Sequence, residues 1–249
     1  MKQLKSPTYY TIKMKKLLYI LIALTLLSCN KKELKIPVLA VKGIQELQDH
    51  SQIWMFFEVK NNDTIANINR KNTISSTHWI YNIDRKLPLK AIIPSINEFQ
   101  HKHANSIHSK EGRFDYFSYA DTIADKLSFI KFDGVAYKQD SILSKTYIKE
   151  NSESYLNYNN INLLFNPNNT WINDAKMEDG ELTTTLLEFI EFSSEGNKTM
   201  LHLNFNQNLL YQDYLYYLTL IKSISNPGIL INNIQFIFDP TKVPDCGCE

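Results

Sequence analysis

A chain of 249 residues with 43% hydrophobic residues, 21% charged residues and a formal net charge of +1 has room for one large core or two small ones. That hydrophobic content, with only 7 Gly and 8 Pro, excludes bulk disorder, collagen-like repetition and linker-dominated chains, while 14 Tyr and 13 Phe favour a strand-containing fold over a coiled coil. The near-neutral balance gives no reason to expect a nucleic-acid partner.

At the amino terminus, Lys13-Met14-Lys15-Lys16 precedes an apolar run from Leu17 to Leu27 and then Ser28-Cys29. A basic flank, a run of about a dozen apolar residues and a small residue before Cys have the order of a secretory signal, and the run is too short for a spanning helix. Leu26-Leu27-Ser28-Cys29 resembles the lipobox of bacterial lipoproteins, whose Cys thiol receives a diacylglycerol and becomes the first mature residue. Residues 1–28 are therefore expected to be a signal peptide, with Cys29 the lipidated residue and Met14 the better start codon. Removing them takes away five Lys and no acid, leaving a net charge of −4. Buried acyl carbons at about 0.8 kcal/mol per CH₂ would hold such a chain at a membrane. Asn30 is not acidic, which favours the outer membrane of the cell envelope over the inner.

Residues 29–42, including Lys31-Lys32-Glu33, are expected to be a tether, followed by an α/β domain over 43–150. Ile53 to Val59 and Thr64 to Ile68 flank Asn61-Asn62-Asp63 and predict a hairpin; Trp79 to Ile83 predicts another strand. Leu89, Ile92, Ile93, Ile96 and Phe99 recur at helical spacing, so 89–102 is expected to be a helix, opened by Pro88 and bent at Pro94. Residues 103–125 show no sustained period. Leu127 to Phe132 and Val135 to Tyr137 resume the strand pattern across Asp133-Gly134, and the polar residues 140–157 suggest a boundary.

The second domain is expected over 151–239. Ile161 to Phe165 and Thr170 to Asn173 flank Asn166-Pro167-Asn168-Asn169, a hairpin signal; Leu182, Leu186, Leu187 and Ile190 form a helical stripe. Met200 to Phe205 alternates as a strand, a helix begins near Leu210, Asn226-Pro227-Gly228 ends it, and Ile229 to Phe238 returns as strand. The order ββαβαβ makes an α+β fold of two small α/β sandwich units, with residues 240–249 as a Cys-containing tail.

Shifting the first half by 122 residues lays Trp79 on Leu201, Asn82 on Asn204, Leu87 on Leu209, Leu89 on Tyr211 and Ile96 on Leu218. An internal duplication explains this, and so does coincidence, because strand and helix periods are generic. Leu201 to Leu215, with alternating apolar residues before Asp213 and Tyr214, resembles the final strand, turn and helix of the ExbD/TolR family's periplasmic domain. The resemblance covers roughly residues 160–238, with Asn206 where that family usually has Asp. It implies a partner in machines that couple the inner-membrane proton gradient to work at the outer envelope. Members carry a transmembrane helix with a carboxylate; residues 17–28 hold no acid, so only the periplasmic module is carried over.

Among groups that could carry chemistry, His101, His103 and His108 lie close together, but His-x-His at a helix end points the rings about 200° apart, and the acids nearby are only Glu98, Glu111 and Asp115. A solvated loop is favoured over a metal site. Cys246 and Cys248 could close a disulfide in an oxidising envelope, remain thiols or bind a soft metal. Nucleophile elbow, phosphate loop and metalloprotease helix are all absent from the sequence, and Asp84 is expected to stabilise a turn. His78 and His202 are expected in strands. Tyr211, Tyr214, Tyr216 and Tyr217 line one helix, mostly as core, with any exposed part an interaction face.

These readings lead to a non-enzymatic, cofactor-free envelope lipoprotein, without catalytic or metal-binding residues. It would serve as an interaction or accessory module of an ExbD/TolR-like biopolymer transport or envelope-energising complex. Its partners would be the membrane, through the lipid, and an envelope protein or a second copy, with an exposed sheet edge available. The alternative is a solute-binding lipoprotein with an aromatic cleft between the two domains.

Overall fold

A computed structural model describes residues 33–106, 111–177 and 180–243. The first half contributes β1 (Val38–Leu39), β2 (His50–Lys60), β3 (Asp63–Asn69), β4 (His78–Ile83), α1 (Leu89–Ala104), β5 (Asp115–Asp121), β6 (Lys126–Lys131) and β7 (Ala136–Lys138). Two short helices, α2 (Ser144–Glu150) and α3 (Ser152–Tyr155), precede β8 (Asn159–Asn166), β9 (Asn169–Ile172), β10 (Ala175–Met177), α4 (Leu182–Ser193), β11 (Thr199–Asn206), α5 (Tyr211–Ile224) and β12 (Ile229–Phe238). They build an α+β fold on two mixed six-stranded sheets. One runs β1-β5-β4-β2-β3 with β6 on β5, the other β10-β9-β8-β11-β12-β7.

Each sheet is organised alike. An antiparallel hairpin, β2/β3 or β8/β9, sends its first strand into parallel pairing with a central strand, β4 or β11, which a helix and a further parallel strand follow. The β2/β3 turn places Asn61 and Asn62 at φ 52° and 63°, the left-handed pair that a two-residue hairpin requires and that Asn tolerates. Ile53 and Met55 of β2, Tyr81 and Ile83 of β4, and Leu201, Leu203 and Phe205 of β11 turn inward and are fully buried. The buried stripe of α1 is Leu89, Ile92, Ile93, Ile96, Phe99 and His103, with Pro94 inside the helix; that of α5 is Tyr211, Tyr214, Leu215, Leu218, Thr219 and Ile221.

The structure adds to the sequence reading at four places. Residues 103–125 contain a strand, β5, buried on both faces and therefore without alternation. The strands on either side of Asp133-Gly134 join different sheets: β6 pairs with β5, whereas β7 crosses to the second sheet and pairs in parallel with β12. The expected boundary at 150/151 thus falls after a strand of the second sheet. The polar residues 140–157 carry α2 and α3, with Ser144 fully buried. The expected tether is already structured from Leu34 onward: Leu39 is buried, and β1 pairs with β5 through Val38↔Ala120. The two sheets share one hydrophobic core that runs from Leu39 to Ile237, and the chain from Leu34 onward is a single compact unit.

Candidate functional site

Three places concentrate polar groups. The first is a cleft of about 590 Å³ at the carboxyl end of α1, lined by Gln100, His101, His103, Arg113, Asp115 and Asp133. His103 forms its wall. Its Nδ1 lies 2.8 Å from Asp115 Oδ1 and its Nε2 lies 3.0 Å from the Thr77 carbonyl. The Trp79 ring stacks on it at 4.1 Å. Burial works against the charged imidazole, but the hydrogen bond and charge of Asp115 outweigh it and raise His103 above its ordinary value. Burial likewise raises Asp115, with His103 opposing. Both ring nitrogens are committed, so the imidazole has no face left for a substrate proton or a metal. His101 is exposed and His108 lies outside the described residues. Lys102 pairs with Glu98. Among the described residues no group of three His, Cys, Asp or Glu could hold a metal ion.

The second place is the outer face of the second sheet, where polar side chains replace the usual apolar ones. Ser144, at the start of α2, gives its backbone N–H to Asn204 Oδ1 at 2.7 Å and its hydroxyl to Asn162 Oδ1 at 2.7 Å, and accepts from Asn204 Nδ2. Beside it, His202 is fully buried, with Nε2 2.9 Å from Asn160 Oδ1 and Nδ1 3.0 Å from Asn232 Nδ2. With no charge nearby, burial lowers the His202 pKa to about 4, so the ring is neutral, donating from Nε2 and accepting at Nδ1. Tyr155 of α3 meets this ring edge-on. Both strand histidines sit where expected, His78 accepting from the Phe114 N–H.

The third place is the equivalent face of the first sheet. By the 122-residue shift and the strand registers, Asn82 corresponds to Asn204, Ile80 to His202 and Gln52 to Asn162. Asn82 Nδ2 donates to Gln52 Oε1 at 3.3 Å, and among the described residues no helix contributes to the lining of the cleft over them. Residues 44–47 cover only part of the face, through the Ile44↔Phe129 bridge and Leu47. What remains is a cleft of about 400 Å³ lined by Gln52, Ile80, Asn82, Leu127 and Phe129, beside the stacked and half-buried Trp54 and Phe56. Nothing in the sequence marked this face, because its meaning comes from comparison with the other sheet.

The α5 tyrosines are mostly core, and the part left exposed is small. Tyr211 and Tyr214 are fully buried, Tyr217 packs on Phe165, and only Tyr216 is half exposed. The reason is that this helix face meets both sheets, Tyr214 lying 4.9 Å from Phe205 and 6.3 Å from Phe117. Tyr137, Tyr81 and Phe132 complete a filled aromatic junction, so the aromatic cleft expected of a solute-binding protein is not present at this junction. The Tyr81 and Tyr211 hydroxyls in it find no hydrogen-bond partner among the described residues. Asp84 serves a turn, accepting from the Lys35 and Lys86 N–H groups. Leu26, Leu27, Ser28, Cys29, Cys246 and Cys248 lie outside the described residues. No family model matches the chain, and no curated protein or solved structure matches it.

Proposed function

We propose that this chain is a lipid-anchored, non-enzymatic module of the bacterial cell envelope that binds another protein on the outer face of its first sheet. The observation that carries this reading is the unequal treatment of two equivalent faces. In the second sheet Ser144 joins Asn204 to Asn162 beneath the chain's own helices, whereas the matching Asn82 and Gln52 form the floor of an open cleft. A half-buried Trp and Phe beside such a floor supply apolar contact area, and the amide groups supply orientation. The committed nitrogens of His103 and His202 argue against general-base chemistry. An ExbD/TolR-like accessory role is supported by the resemblance over residues 201–215, which fold as strand, turn and helix.

The test is in-cell photo-crosslinking from position 52, at the cleft, and from position 102, at the far end of α1, followed by mass spectrometry. A discrete product from position 52 alone is expected, and an energising inner-membrane complex among the products would support the accessory role. Equal products from both positions would overturn the assignment of the face. In parallel, Cys29→Ser is expected to move the protein out of the membrane fraction; retention there would refute the lipid anchor.

A further inference from the structure

We propose that the end of the fold around Lys35, Arg85, Lys86 and Lys90 lies against the anionic phospholipid headgroups of the leaflet that holds the acylated Cys29. The inference rests on the lipid-anchored reading above and adds to it an orientation and a charge-selective contact.

Reach comes first. Lys35 is the sixth residue after Cys29, and a chain spans at most about 3.3–3.6 Å per residue, so the anchor lies within about 20 Å of Lys35. A folded unit of this length has a radius of gyration of about 17 Å and a diameter roughly twice the tether, so it cannot present every side to the bilayer. Lys35 is fixed to the body: its N–H donates to Asp84 Oδ2 at 3.1 Å and its carbonyl accepts from the Arg85 N–H at 2.7 Å. Three residues on, the Val38 N–H donates to Gln212 Oε1 and its carbonyl accepts from Gln212 Nε2. The side that faces the leaflet is therefore the one where the two similarly built halves of the fold meet.

The chemistry of that side fits. Lys35, Lys86 and Lys90 are exposed and Arg85 is half-buried, while Lys31 and Lys32 add two more cations in the sequence just before it. Leu210 and Val38, each 41% exposed, supply apolar contact for the interfacial region. Acids near this end include Asp84, Asp213 and Asp239, with Glu33 just before it in the sequence; Asp239 bonds the Gln207 side chain and pairs with Lys242. Asp84 is buried and bound to backbone N–H groups, and burial raises the carboxyl of Asp213. Each cation near an anionic surface strengthens binding about fivefold, and the effect fades within a Debye length.

The test uses the full acylated protein, with Cys246 and Cys248 changed to Ser, in vesicles of phosphatidylglycerol and phosphatidylethanolamine or of phosphatidylcholine alone. A fluorophore is placed at Asn208→Cys, next to the Gln207 carbonyl that accepts the Lys90 N–H, or at Lys102→Cys, about 18 Å along α1 from Lys90. Headgroup nitroxides are expected to quench position 208 several-fold more than position 102. The difference should shrink with Lys86→Glu/Lys90→Glu, in phosphatidylcholine and at high salt. Equal quenching of the two positions in protein that stays vesicle-bound would overturn the orientation and leave the anchor intact. Unchanged quenching on charge reversal would overturn the headgroup contact. Loss of vesicle association by the acylated protein itself would instead sink the anchoring reading beneath it.

Discussion

Pro88 and Leu210 form an isolated antiparallel bridge, and they hold matching positions, 122 residues apart, in the two similarly built halves, called repeats for that likeness alone. Each precedes a helix with nearly identical backbone angles, φ −72° and ψ 152° at Pro88, φ −72° and ψ 148° at Leu210. Around them the hydrogen bonds are reciprocal. Leu89 and Lys90 donate to the carbonyls of Leu209 and Gln207, and Tyr211 and Gln212 donate to those of Leu87 and Arg85. The first N–H groups of a helix need partners outside it. Neither helix has a side-chain cap; each is capped by the backbone of the other repeat.

Mutual capping implies that neither repeat is complete alone. A fragment of residues 151–249 lacks β7, the capping carbonyls of Leu87 and Arg85, and the Phe117 and Tyr137 rings that cover Tyr214. It is expected to show no cooperative thermal transition, while the whole chain unfolds in one. Native-state hydrogen exchange supplies the finer check: the amides of Leu89, Lys90, Tyr211 and Gln212 should exchange together, at the rate of global unfolding. A fragment that melts cooperatively would show that the second repeat is autonomous.

The His103–Asp115 pair sets an alkaline limb. His103 is raised above its unfolded value of 6.5, so its stabilisation is complete below about pH 6.5 and is lost as pH rises through the higher folded value. In Asp115→Asn the burial of the ring remains and its counter-charge is gone. The His103 value should then drop below the ordinary one, and the pH slope should reverse. Ring resonances followed through a titration report this directly. His103→Ala, which leaves the Asp115 carboxylate buried without its partner, should cost about 3–5 kcal/mol.

Much of this architecture is legible in the residues. Both hairpins, the strand at 79–83 and helices starting at Leu89 and near Leu210 follow from alternation, Asn-rich turns and helical spacing. β5 was hidden because Asp115 to Asp121 is buried on both faces and reads as an aromatic stretch without a period. The exchange of β7 was hidden because three residues, Ala136–Lys138, carry no mark of which sheet they join. The caps were hidden because their donors and acceptors are all backbone. The open cleft was hidden because Asn82 and Asn204 are the same residue type in the same place, and their partners, the Ser118 hydroxyl of the same sheet for one and Ser144 of a covering helix for the other, separate their roles.

Gly43 marks where residues 40–47 press against β6. A Cβ there would run into the Tyr119 hydroxyl and come within 3.0 Å of the Phe129 carbonyl and the Ser128 Cβ. Tyr119 donates to the Val41 carbonyl, so relief would break a contact that holds the segment down. Gly43→Ala should destabilise by about 1–3 kcal/mol, the range for overpacking, and should raise proteolysis within 40–49. An unchanged melting temperature would mean that the segment sits further from β6.

His202 sets the acidic limb. Its folded pKa of about 4 lies below the unfolded 6.5, so in this interval the unfolded chain binds a proton that the native chain does not. Its contribution is complete above pH 6.5 and is lost as pH falls toward 4, by roughly 3 kcal/mol in total. His202→Gln removes the titration, and the acid limb of the stability profile should flatten while the alkaline limb from His103 persists. A limb of unchanged slope in the variant would assign the acid sensitivity to carboxylates.

The aromatic junction yields substitutions of opposite sign in one cluster. Tyr214 donates to Gln235 Oε1 at 2.9 Å and shares a 3.0 Å hydrogen bond with the Tyr137 hydroxyl. Removing its hydroxyl leaves buried partners unpaired, so Tyr214→Phe should cost about 1–3 kcal/mol. Tyr81 and Tyr211 are as deeply buried, yet their hydroxyls have no partner. Each was desolvated on folding without compensation, so Tyr81→Phe and Tyr211→Phe should be neutral or should stabilise by up to about 1 kcal/mol. Denaturant melts of the three variants against wild type separate the cases, because the shape change is the same in all of them. If Tyr81→Phe and Tyr211→Phe cost as much as Tyr214→Phe, their hydroxyls are hydrogen-bonded in solution, and bound water is then the partner to look for at the junction.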